Sequence, residues 1–248
     1  MTLASLLPVG LAWPAYLGMS AMVLVGACLQ GIGGLGFAMF CAPIAVLVFP
    51  ELVPGPLLVL SFPLALMAAA RERADIDWRI AGTAIVGRLL GTLLAAACLL
   101  LLSGATLSVL FAGLILVGVA LSVLGWKVAP STPVMAIAGM ASGLMGTLTS
   151  SGGPPFAISM QNLPPARLRA TLGCVFFVGA GISLAALAGV GKMGASHLLL
   201  SLTLMPWMLT GFMLSSTLAK HLSHRLSRLF LLGMATFAAL AILFQVLV

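Results

Sequence analysis

Few residues in this chain have chemical potential, and most sit at two glycine-rich interruptions. The first is Gly31-Ile-Gly-Gly-Leu-Gly36, which runs on to Pro43. The second runs from Gly143 through Gly146, Thr147 and Thr149 into Ser150-Ser-Gly-Gly-Pro-Pro155. A shift of 112 lays Gly31 on Gly143, Gly34 on Gly146, Pro43 on Pro155 and Ala45 on Ala157. Each copy breaks an apolar run with residues that a continuous helix disfavours. In the second copy the serines suit a helix cap and the prolines a first turn. A half-helix starting near Pro154 would offer N–H groups and hydroxyls to an oxyanion without a formal charge. The candidate ligand residues here are Thr147, Thr149, Ser150, Ser151, Gly152 and Gly153. Gly31, Gly33 and Gly34 offer backbone from the first copy, with Gln30 as a polar neighbour. The competing reading is that these small residues only let helices pack closely.

Arg88 is the remaining candidate. It lies nine residues into an apolar stretch that begins near position 80, roughly 12–13 Å along a helix. A charge at that depth is costly and points to function, here as a counter-charge for an anion. The alternative is that it reaches back to the membrane surface beside Arg79. Gln161, Asn162, Thr171 and Ser61 would extend a polar lining, although local capping explains them more simply. Glu51, Glu72, Asp75 and Asp77 all fall in connectors, so no embedded carboxylate relay is expected. Ser150 and Ser151 have no nearby base in sequence, which argues against an enzyme. Met135, Met140 and Met145 are spaced by five and face different sides of a helix, so with Met160 they read as core filler rather than soft metal ligands. His221 and His224 lack a third ligand. No metal and no cofactor is expected.

The elements that must position these residues are membrane helices. The chain has 248 residues, of which 62% are hydrophobic and only 6% charged. Its apolar runs reach about 20 residues, the length that crosses a bilayer. A net charge of +7 would suggest nucleic acid in a soluble domain. In a membrane protein the bias of basic residues toward cytoplasmic loops explains it, so no nucleic-acid partner is expected. Cys28, Cys41, Cys98 and Cys174 lie in apolar segments and read as small buried hydrophobes. No basic residue precedes the first apolar run, so a cleaved signal peptide is not expected.

In order, helices are expected over 11–30, 37–49, 57–70, 80–102 and 106–126, then over 134–148, a short arm to 160, 170–190, 196–218 and 229–248. Residues 1–248 form a single membrane domain with internal repeats over about 11–126 and 134–248. A second shift, of 120, lays Gly91 on Gly211, as an insertion near 189–196 would require. Suppose each glycine-broken unit enters and returns on one side. Then Arg71, Arg73, Arg79, Lys127, Arg167, Arg169, Lys220, Arg225 and Arg228 are all cytoplasmic, and Lys192 alone is outside. Each half then makes an odd number of crossings. The fold expected is an all-α polytopic membrane protein of two inverted-topology repeats, each a glycine-broken helical hairpin followed by three membrane helices, with both termini outside. The small-residue face Gly82/Gly87/Gly91 suits internal packing or a homodimer equally.

With these residues in hand, the chain resembles the sulfite exporter TauE/SafE family. The resemblance covers nearly the whole chain. It rests on the two glycine loops, on Ile76-Asp-Trp-Arg79, and on Pro206 and Gly211 ahead of Ser227-Arg228. It implies transport of sulfite or small organosulfonate or organic anions in a bacterial inner membrane. It also implies a small or apolar residue at position 88, where this chain has arginine. The expected function is a secondary carrier of small anions working by alternating access between the two broken helices. A passive anion channel and a non-transporting membrane assembly subunit are the alternatives.

Overall fold

The computed structural model of the chain describes residues 12–102, 129–160 and 162–218, with single positions between 106 and 120. The positions described between 106 and 120 are helical. The rest of that expected helix, the helix expected over 229–248, Gln161, Lys127 and the connector carrying Lys220, His221, His224, Arg225 and Arg228 lie outside the described residues.

Eight helices are bounded among the described residues: α1 (Trp13–Gly33), α2 (Phe37–Val48), α3 (Gly55–Arg71), α4 (Trp78–Leu101), α5 (Thr132–Thr149), α6 (Pro154–Ser159), α7 (Pro165–Gly189) and α8 (Ala195–Leu218). Five of them, α1, α4, α5, α7 and α8, are long and apolar enough to cross a membrane. At about 1.5 Å per residue, α2 spans about 18 Å and α6 about 9 Å, so neither crosses alone.

Both regions break, but the first later than expected: α1 continues through Gly31 and Gly33, so these two glycines are helical and not part of the break. α1 ends on Gly34, whose φ of 78° is left-handed. α5 ends on Ser150, also left-handed at φ 61°. Glycine takes that conformation freely, whereas a side chain there costs of order 1–3 kcal/mol. Ser150 is anchored, its hydroxyl donating to the Pro54 carbonyl at 2.9 Å.

One core cluster joins α1, α2, α3 and α8 through residues such as Met19, Phe37, Leu64 and Leu204. A second joins α4, α5, α6 and α7 through Ala84, Met135, Phe156 and Leu172. Each broken hairpin therefore packs with a helix from the other half of the sequence. α4 and α5 run parallel, with Gly139 against Ala84 and Gly143 against Arg88. α1 and α8 also run parallel, pairing Tyr16 with Thr203 and Leu24 with Gly211. α3 and α7 run antiparallel, pairing Ala69 with Gly173 and Leu58 with Ala180, with Phe62 and Phe177 stacked at 4.5 Å between them.

Small residues allow the parallel contacts. A Cβ added to Gly91 would fall 1.9 Å from the Met140 carbonyl oxygen, and one on Gly87 2.1 Å from that of Ala136. A Cβ on Gly211 would fall 2.1 Å from the Leu24 carbonyl oxygen. Gly91 and Gly211, aligned by the 120-residue shift, thus make equivalent contacts. Gly87 and Gly91 serve internal packing, while Gly82 faces open space. Met135, Met145 and Met160 are buried, but Met140 is partly exposed on the outer face.

Connectors lock one end of the bundle. Arg169 pairs with Glu72, and Arg167 Nη2 with Asp77 at 2.5 Å. Asp77 also caps α4, accepting from Arg79 and Ile80 N–H at 3.1 Å. The Ile80 N–H in particular, and Arg167 with it, hold its carboxyl below the usual carboxylate range. The cap is therefore at full strength above about pH 4 and is lost as pH falls through the lowered value.

Gly91→Ala is expected to lower the thermal unfolding midpoint in detergent by roughly 2–12 °C, since overpacking costs about 1–3 kcal/mol. Gly82→Ala, on the open face of the same helix, is expected to leave it unchanged.

Candidate functional site

The two breaks touch. A Cβ on Gly153 would lie 3.0 Å from Met39 Sδ and 3.5 Å from Leu35 Cδ2. Between them is a cavity of about 40 Å³, room for roughly three waters. The first break contributes Gln30, Leu35, Phe37, Ala38 and Met39 to its walls. The second contributes Ser150, Gly152 and Gly153. Arg88 from α4, Ser61 from α3 and Phe176 from α7 complete the polar and aromatic lining.

Arg88 does not reach back to the surface. It is 3% exposed. Nη1 donates to Ser142 Oγ at 3.1 Å, and Ser142 in turn donates to the Gly152 carbonyl at 2.6 Å. The guanidinium lies on Gly179, where a Cβ would fall 2.0 Å from Nε. Phe176 stands 5.4 Å from the guanidinium carbon. Among the described residues no carboxylate pairs with Arg88, and its buried Nε–H has no acceptor. An arginine carries five N–H donors and a permanent charge, and this one is buried with its Nε–H unmatched and no carboxylate beside it among the described residues.

Gln30 fills the first break. Its Oε1 accepts from the Gly36 and Phe37 N–H groups at 2.9 and 3.1 Å, and its Nε2 donates to the Gly34 carbonyl at 2.9 Å. One side chain thereby satisfies backbone groups that the break leaves without partners.

Of the residues singled out from sequence, Arg88, Ser150, Gly152 and Gly153 share this cavity with Gln30 and Ser61. The others do not line it. Thr147 bonds the Thr92 and Ser183 hydroxyls, all three fully buried between helices. Thr149 donates to the Met145 carbonyl and accepts from Ser151 N–H. Gly31 packs on α8, where a Cβ would meet Ser215 Oγ at 2.0 Å, and its carbonyl accepts from Arg71. Gly34 lies beside Arg169, and Gly33 faces open space. Thr171 accepts from the Asp77 N–H, and Asn162 is exposed.

α6 does start at Pro154, but its first turn offers little. Pro154 and Pro155 have no N–H, and those of Phe156 and Ala157 both donate to the Gly153 carbonyl. Ser142, Phe176, Gly179, Ala38 and Met39 escaped the sequence reading. They are ordinary small or apolar residues of membrane helices, and no spacing marks them.

A buried unmatched cation at two apposed helix breaks suits an anion carried across a bilayer. In agreement, the family model of the sulfite exporter TauE/SafE matches residues 19–242. The chain belongs to the sulfite exporter TauE/SafE family. It is an integral membrane protein of a transporter family and not an enzyme. No significant match is found among curated proteins or among solved structures. In this TauE/SafE chain Gly179 is the seat of the charged group.

Gly179→Ala is expected to displace the guanidinium while keeping its charge. Anion flux into proteoliposomes should fall at least about ten-fold, the equivalent of one charge-assisted hydrogen bond, with the unfolding midpoint nearly unchanged because a side chain, not backbone, gives way.

Proposed function

We propose that this TauE/SafE protein is a secondary carrier of small anions of the sulfite or organosulfonate type. The cavity between the two breaks is its substrate site. The single observation that carries this reading is that both breaks and the buried Arg88 line one small cavity. Broken helices at matching places in two halves are the usual position of a transporter's site.

The two halves are inverted repeats that rock about that site. This is supported by the antiparallel α3/α7 pair and by the two parallel pairs, each joining a broken hairpin to a helix of the other half. The basic end, with Arg71, Arg73, Arg79, Arg167 and Arg169, is cytoplasmic, and Lys192 and both termini are outside. The membrane is a bacterial inner membrane. The ion pairs Glu72–Arg169 and Asp77–Arg167 close the cytoplasmic end.

In proteoliposomes, uptake of labelled sulfite is expected to saturate and to show counterflow. Arg88→Ala should reduce it by roughly 10–100-fold, as the loss of a charged hydrogen-bonding partner implies. Ser151→Ala, outside the cavity, should change it less than about three-fold. Ohmic anion current without saturation would establish a pore instead. No anion flux from folded protein would leave an assembly subunit as the surviving reading.

A further inference from the structure

We infer that the transported anion is held by the start of α2, and not by that of α6, in a cradle formed by the Ala38 and Met39 N–H groups and the Arg88 guanidinium. This rests on the carrier reading above and specifies its site. The first-turn N–H groups of any helix lack acceptors within the helix. α2 has twelve residues and opens directly into the cavity, with Phe37, Ala38 and Met39 in its wall. Gln30 Oε1 takes the Gly36 and Phe37 N–H groups. Those of Ala38 and Met39 have no acceptor among the described residues.

The second, independent observation is Arg88 in the same cavity. It is almost wholly buried, with Nε unmatched and no carboxylate paired to it among the described residues. Unmatched amides and an uncompensated cation around one small space call for an anion. α6 is no rival, because its prolines lack N–H groups and the Gly153 carbonyl takes those of Phe156 and Ala157, leaving its first turn without a free donor.

The donors also define the ligand class. A planar guanidinium and a pair of helix amides are separate groups and are best matched by an anion with several acceptor atoms. A pyramidal –SO₃ group supplies three oxygens, and a halide supplies one point of charge. The cavity of about 40 Å³ accepts such a head with little attached to it. Sulfite and the head of a one-carbon sulfonate share this chemistry. Gln30 is a positioning residue that fixes the start of α2.

The test removes one amide. Proline is accepted in the first turn of a helix, and α1, α3 and α5 already carry Pro14, Pro56 and Pro133 at their second positions. Ala38→Pro therefore deletes an N–H with little strain, and Ala38→Val adds similar bulk while keeping it. Half-saturating concentrations for flux would be measured with sulfite, methanesulfonate and chloride. Ala38→Pro is expected to raise the value for sulfite about ten-fold, and Ala38→Val less than about three-fold. Methanesulfonate matching sulfite would assign recognition to the –SO₃ head of either source. Saturation by sulfite alone would assign it to the free ion.

A second variant serves if Ala38→Pro does not fold. Gln30→Glu sets a negative charge at the start of α2, and its loss of methanesulfonate flux should recover as pH falls and the carboxyl protonates. A purely structural role for Gln30 would lower and restore the unfolding midpoint in step with the flux, because a neutral carboxyl regains the donor to the Gly34 carbonyl. Wild-type affinity in folded Ala38→Pro, or equal losses in Ala38→Pro and Ala38→Val, overturns the cradle. So does chloride saturating like sulfite. If Arg88→Ala still abolishes flux in that case, the cavity remains the site. If Arg88→Ala is also silent, the site reading itself falls.

Discussion

A guanidinium buried without a carboxylate is the constraint around which the structure is arranged. Desolvating a charge costs several kcal/mol even after relaxation, and Arg88 recovers only one hydrogen bond, to Ser142, from the described residues. The face of Phe176, 5.4 Å from the guanidinium carbon, adds to that. Gly179 is needed because any side chain there would take the space of the guanidinium. Ser142 is needed because it ties the charge to the Gly152 carbonyl.

That placement depends on close helix contact. Arg88 lies on the face of α4 that meets α5, between Gly87 and Gly91, where backbone approaches backbone. In lipid, where apolar burial between helices drives little, such contacts supply the packing and dispersion that hold helices together. Gly211 on α8 makes the matching contact with Leu24 of α1. Each broken hairpin is thus braced by a helix from the other half. A movement of one hairpin relative to the other must pass through the α3/α7 seam, which carries larger side chains such as Phe62 and Phe177. The cavity lies beside that seam, with Phe176 and Ser61 in its wall.

Much of this was legible before any coordinates. Apolar run length located the membrane helices, and the 112-residue shift marked the two regions that break, although Gly31 and Gly143, which it pairs, are both helical and the helices end later, at Gly34 and Ser150. Arg88 stood out because charge at membrane depth is rare and costly. The site was read less well. Thr147 and Thr149 are polar at the right break, yet their hydroxyls bond within and between helices. The serine-proline run marked a helix start correctly, but the same prolines remove the donors that a helix start normally offers. Gln30 seemed a neighbour and is the cap of α2.

By itself the sequence determined the membrane setting, the regions in which the two helices break and the presence of one embedded charge. These follow from hydrophobic length, glycine and proline backbone preferences and the cost of charge in lipid, all of which are local properties. Only the tertiary structure decided which faces meet, that Arg88 turns inward over Gly179 instead of toward the surface, and which helix start keeps unmatched amides in the cavity. Those outcomes depend on backbone distances between helices far apart in sequence, and small residues record such distances without distinguishing a packing contact from a binding one.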